Sequence, residues 1–161
     1  MAIQIITTGE TIDKKYDFLV QKISLGKARV QRILNNGRLG VKYVINNIFS
    51  KYSGQIKKTD LEKIVKVCRK SKEKQIIITH GTDKMVDTAK FLAQQKIKKT
   101  IILTGSIIPD SMENSDASFN VGCAVMAVQT LPVGIYIVMN GRVFSWNQVK
   151  KNRKKKEFIK I

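Results

Sequence analysis

Apolar residues in this chain gather in short continuous runs and in helical stripes. Runs at Ile3–Ile6, Gln75–Ile78, Thr100–Leu103 and Ile135–Val138 are rich in β-branched side chains and apolar on both faces. Strands covered on two sides in a parallel sheet have this character. Val41–Ile45 reads as a further strand. Between the runs the period changes. Leu61, Ile64, Val65 and Cys68 fall on one helical face behind a Thr59–Glu62 capping-box signal. Met85, Val86, Ala89, Leu92 and Ala93 form a second stripe, and Val30, Ile33 and Leu34 an earlier one. Strands alternating with helices predict an α/β fold, a doubly wound and mainly parallel sheet flanked by helices in a single domain.

From Ala117 to Gly141 no residue is charged, which on length alone would span a bilayer. Gln129, Thr130, Pro132 and Gly134 divide that stretch, and its first half carries small residues (Gly122, Ala124, Ala127). A buried helix followed by a buried strand is the expected outcome, with no membrane partner. Lys150 to Lys160 holds seven basic residues and one acid without apolar periodicity, and is expected to be a basic tail.

Charge and composition then set limits. The 161 residues carry 30 Lys+Arg against 12 Asp+Glu, a formal net charge of +18, while 43% hydrophobic residues supply a normal core. The excess charge raises a nucleic-acid partner. No RNP, KH or helix-turn-helix pattern accompanies it, and the basic residues are scattered, so solvated helix surface is the expected explanation. Cys68 and Cys123 lie far apart, and His80 is the single histidine, which leaves a zinc site of His/Cys type short of ligands. No metal or cofactor is expected. The opening residues lack a basic n-region, and a cytoplasmic setting follows as an expectation.

The residues that end the strands carry the chemistry. They are Thr7-Thr8-Gly9-Glu10-Thr11, Thr79-His80-Gly81-Thr82-Asp83, Thr104-Gly105-Ser106 and Met139-Asn140-Gly141. In open α/β sheets ligands bind beyond the carboxyl ends of the strands, so these turns are expected to converge on one pocket. A threonine hydroxyl becomes a nucleophile when a base takes its proton. Thr11 and Thr82 are candidates, Asp83 and C-terminal lysines could form the base system, and backbone N–H groups at Gly9 and Gly81 could hold an oxyanion. The competing reading makes the same threonines and aspartate helix caps. No GxGxxG or P-loop pattern accompanies the glycines. His80 at a strand end reads as a hydrogen-bonded structural residue.

Taken in order, these turns resemble the L-asparaginase family. Thr8-Gly9-Glu10-Thr11-Ile12 is similar to its TGGTI motif, and His80-Gly81-Thr82-Asp83-Lys84-Met85 to its HGTDTM motif. Thr104-Gly105-Ser106 with Pro109, and Met139-Asn140-Gly141 with Val143, extend the likeness. The resemblance implies an asparaginase-like N-terminal domain over residues 1–152, the basic tail over 153–161, and no counterpart of the family's C-terminal domain. It implies that Thr11 is the nucleophile and Thr82 the second catalytic threonine. Asp83 binds the substrate's amino group and supports Thr82. Lys151, with Lys150 as the alternative, pairs with Thr82, and Tyr16 on a mobile loop polarises Thr11. Ser53, Gly81 and Ser106 complete the substrate pocket, Ser53 by holding a carboxylate. The implied reaction hydrolyses the side-chain amide of asparagine, or of a related small amide, through an acyl-enzyme. Glu10 stands where the family motif has glycine, and Gln55 where an acid follows the serine.

Three functions are therefore in play. One is an amidohydrolase with a small-molecule amide substrate. Another is an asparaginase-like domain that binds a small acid or amide with weakened turnover. The third is a tRNA-associated, amidotransferase-like module. The family's sites lie at subunit contacts, so a homodimer or higher homo-oligomer is expected.

Overall fold

The computed structural model describes residues 2–161. Its elements run β1 (Ile3–Thr7), β2 (Lys14–Asp17), β3 (Lys22–Leu25), α1 (Val30–Asn36), β4 (Tyr43–Asn47), α2 (Lys58–Lys70), β5 (Gln75–Thr79), α3 (Met85–Gln94), β6 (Thr100–Thr104), α4 (Ala117–Thr130), β7 (Gly134–Met139), β8 (Arg142–Ser145), β9 (Val149–Asn152) and β10 (Glu157–Lys160). Six strands form one sheet in the order β4-β1-β5-β6-β7-β8. Every pairing in it is parallel except β7 with β8. The mainly parallel, doubly wound sheet expected from the apolar runs is present.

Strand alternation divides the core into two layers. Ile76 and Ile78 of β5 point to one face with Ile64, Val65 and Cys68 of α2 and Met85, Ala89 and Leu92 of α3. Ile77 points to the other, where Val30, Ile33 and Leu34 of α1 and Val121, Ala124 and Val128 of α4 cover it. All three isoleucines are fully buried, which is why β5 reads as an unbroken apolar run. The uncharged stretch from 117 becomes a buried helix and a buried strand, as expected. Among the described residues no helix is long and apolar enough to cross a membrane.

Several boundaries differ from the sequence expectation. The fourth strand begins at Tyr43 rather than Val41. Helix α2 starts at Lys58, and its capping carboxylate belongs to Asp60, which accepts the Lys57 N–H (3.0 Å); Glu62 has no part in the cap. Asp60 also accepts both hydrogen bonds of Lys51 Nζ (2.8 Å each), and that cation holds its carboxyl below the ordinary range. The segment after Thr11 is a hairpin of β2 and β3. The basic stretch from Lys150, which shows no apolar periodicity in sequence, forms a second hairpin, β9 against β10. Phe158 explains this, because its fully buried ring joins the core layer of α3 together with Val149. One buried aromatic at mid-strand secures a segment most of whose remaining residues are cationic.

The chain steps from β1 outward to β4 and then returns past β1 to β5. The order of winding therefore reverses between β1 and β5, and the crevice that such a reversal opens lies beyond their carboxyl ends. The turns carrying Thr11 and Thr82 leave from those two ends.

Candidate active site

The turn after β1 is held close to its neighbours by main-chain bonds. Thr8 donates both its N–H (3.2 Å) and its hydroxyl (2.9 Å) to Thr79 O, and Lys51 N donates to Thr8 O (3.1 Å). Gly9 adopts φ 85°, and a Cβ there would lie 2.7 Å from Lys51 N and 2.8 Å from Ser50 Cα, so both conformation and space require glycine. Glu10 follows with φ 91° and ψ −160°, a region essentially reserved for glycine that costs about 1–3 kcal/mol to hold. Thr11, half-buried, then opens a single 3-10 turn, Thr11–Asp13.

The turn after β5 brings Thr82, which is buried, and Asp83, whose side chain is largely exposed. Strand β9 supplies the cation between them. Lys151 Nζ donates to Thr82 Oγ1 (2.8 Å) and to Asp83 Oδ1 (2.6 Å). Alternation along β9 decides which lysine does this. Val149 and Lys151 share a face, and Val149 is buried in the core, so Lys151 is carried inward while Lys150 projects to solvent. The Lys151 hydrogen bond holds the Asp83 carboxyl below its ordinary value, and Arg153 and Lys14 add to that effect. Asp83 therefore remains a carboxylate at neutral pH.

Thr11, Thr82, Asp83 and Lys151 line one cleft of about 260 Å³ with Ile107, Arg153 and Lys156. The sequence motifs do not single out Arg153 and Lys156. Both sit in the turn between β9 and β10, and only the apolar Val149 and Phe158 flanking the basic run signal that it returns to the body of the domain. Ser53 is buried, and its N–H donates to Glu10 Oε2. Gly81 lies against the same carboxylate: a Cβ there would stand 2.7 Å from Glu10 Cδ and 2.6 Å from Ser53 Cβ. Ser106 is buried just beyond β6 with its hydroxyl unpartnered, next to Ile107 of the cleft. Tyr16 stands apart. It is 47% exposed on β2, its ring packs edge-on against Phe18 at 5.0 Å, and it is not among the cleft residues.

His80 is wholly buried, with Nδ1 donating to Gly81 O (2.8 Å) and Nε2 accepting from Thr88 Oγ1 (3.0 Å). Burial lowers its pKa to about 4, so the neutral ring fixes the turn before Thr82. A second support runs through Asn140, whose N–H donates to Asn120 Oδ1 (3.1 Å) and whose Oδ1 accepts from Phe158 N (3.0 Å). That bridge ties the β9–β10 hairpin, and with it Lys151, to helix α4. Chemically, the cleft offers a hydroxyl bonded to an amine, a second hydroxyl in the same cleft, and a carboxylate able to bind a cation.

Known proteins share this arrangement of elements. Across 88% of the chain it is 29% identical to a glutamyl-tRNA(Gln) amidotransferase subunit of Methanococcus vannielii, and it covers 34% of that protein. Across 92% it is 28% identical to L-asparaginase 2 of Escherichia coli, covering 46% of it. The chain thus spans between about a third and a half of the length of these relatives. The thermostable L-asparaginase from Thermococcus kodakarensis has the same fold, with a TM-score of 0.89 at 24% identity over all of this chain and 51% of that one. The sequence model of the asparaginase N-terminal domain matches residues 2–157. The chain belongs to the asparaginase family, through its N-terminal domain.

Proposed function

We propose that this domain is an amidohydrolase that hydrolyses the side-chain amide of asparagine, or of a related small amide, through an acyl-enzyme on Thr11. The observation that carries the reading is the Lys151–Thr82–Asp83 array sharing one cleft with Thr11. Thr11 Oγ1 attacks the amide carbon, the C–N bond breaks, and the threonine's proton leaves with the amine as ammonia. Water then cleaves the ester, restoring the Thr11 hydroxyl and releasing the acid. Thr82 relays protons between the reacting atoms and Lys151, which accepts a proton only as the neutral amine. Asp83 offers its carboxylate to a substrate ammonium and orients Lys151. Ser106, buried with a free hydroxyl beside Ile107 of the cleft, completes the pocket.

The test is ammonia release from small primary amides. Thr11→Ala and Thr82→Val each lower the rate by about 10²–10⁴-fold, the size expected for losing a positioned catalytic hydroxyl or its proton relay. Wild-type rates in both variants would dismiss the assignment. The active form is a homodimer that covers the open side of the cleft. Light scattering at tens of micromolar reads twice the 18.2 kDa chain mass, and a monomer there refutes it.

A second reading, a module acting with a tRNA-bound substrate, is favoured by Arg153 and Lys156 at the cleft and by the likeness to an amidotransferase component.

A further inference from the structure

We infer that Glu10 is a specificity-determining residue: its side chain is a built-in carboxylate occupying the place beside Ser53 where a ligand carboxylate would lie. The cleft accordingly selects primary amides that carry no carboxylate at that position. That a ligand carboxylate would be directed beside Ser53, and that the ligand is a substrate, rest on the amidohydrolase reading above; the burial of Glu10 against the Ser53 N–H does not.

Four observations converge on the side chain. Glu10 is only 8% exposed, although an isolated carboxylate is costly to bury. One of its oxygens accepts the Ser53 N–H, and the other lies 3.8 Å from Lys14 Nζ. Its Cδ fills the space over Gly81, the residue before Thr82, while its own backbone leads directly into Thr11. Finally, the backbone at Glu10 is held in a glycine region, and such conformations persist where the surrounding structure over-determines them, most often at ligand sites. The carboxylate is thus wedged between the two turns that carry Thr11 and Thr82.

A ligand arriving with its own carboxylate meets two obstacles there. The Ser53 N–H is already taken, and a second negative charge would sit against Glu10. A ligand lacking that group meets neither obstacle, and its ammonium still finds Asp83. None of the cleft cations Lys151, Arg153 and Lys156 pairs with the Glu10 carboxylate, which leaves Lys14 as its nearby cation.

The discriminating pair of ligands is L-asparagine and 3-aminopropanamide, which differ by the carboxylate alone. Calorimetric titration in a Thr11→Ala background excludes turnover. The parent is expected to bind 3-aminopropanamide at least tenfold more tightly than asparagine. Glu10→Gly, which removes charge and bulk and suits the backbone angle, is expected to gain at least tenfold for asparagine and to leave the smaller amide within about threefold. Glu10→Gln, which keeps the size and loses the charge, gains part of that. Asparagine binding that is no tighter in either variant than in the parent, including no detectable binding in all three, overturns the inference. Failure of the amidohydrolase reading looks different: asparagine affinity rises in Glu10→Gly, yet the variant with Thr11 intact releases no ammonia from either amide.

Discussion

Two buried titratable residues next to the site carry opposite pH signatures. Burial raises the Asp13 carboxyl to about 6 against an ordinary 3.8, only partly offset by the Arg29 N–H it accepts (2.8 Å). Its folded form binds the proton more tightly than the unfolded chain, so its contribution to stability falls as pH rises from about 4 to about 6. With 2% of the residue exposed, that shift corresponds to about 3 kcal/mol at most. His80 runs the other way. Its folded value near 4 lies below the ordinary 6.5, so its contribution is complete above pH 6.5 and is lost as pH falls toward 4. In the wild type the two slopes partly cancel. Asp13→Asn removes one of them, and urea unfolding from pH 4 to 6.5 should then show stability climbing with pH more steeply than in the wild type. Parallel curves for the two proteins would contradict the assignment.

At the scale of elements, the site depends on a hairpin that composition disguises. Strand β9 positions Lys151, and the hairpin is anchored by Val149 and Phe158 in the core and by Asn140 bonding the Phe158 N–H. Phe158→Ala is expected to cost about 3–5 kcal/mol, since it empties a fully buried aromatic site, and to lower ammonia release more than substrate binding because Lys151 loses its support. Denaturant unfolding and kinetics on one preparation check both parts; unchanged stability would show that the ring anchors nothing. The same element marks where the sequence is readable and where it is not. Buried parallel strands such as Ile76–Ile78 announce themselves because both faces are apolar. Thr11, Thr82 and Asp83 are legible because each sits at a strand end in an ordered motif. The two hairpins are hidden because Val149 and Phe158 are the only fully buried positions of their four strands, so few positions report the strand period. Choosing Lys151 over Lys150 likewise requires the phase of β9, which only the burial of Val149 supplies. Tyr16 follows the first motif without belonging to it, and its hairpin carries it outward beside Phe18.

For the whole molecule, the +18 charge is spread over the surface and also reaches the cleft. Lys151 is engaged by Thr82 and Asp83, while Arg153 and Lys156 line the same cleft from the exposed hairpin turn. If these cations serve a tRNA-bound substrate, gel-shift affinity for tRNA falls steeply with salt, and Arg153→Ala with Lys156→Ala reduces the slope by about two phosphate contacts. Absent or salt-independent binding confines their role to the small-molecule cleft. The exposed Phe18, Leu19 and Val20 at the tip of the first hairpin are apolar surface consistent with the proposed homodimer.

The central claim is that Thr11 and the Lys151–Thr82–Asp83 array form one hydrolytic site, and two adjacent lysines test it most directly. Lys151→Met and Lys150→Met remove the same charge from neighbouring positions of one strand, only one of which reaches Thr82. Ammonia release from 3-aminopropanamide and from asparagine is expected to fall by about 10²-fold or more in Lys151→Met. Lys150→Met is expected to stay within about twofold of wild type, as surface changes usually do. Equal rates in the two variants, at equal stability, would contradict the account.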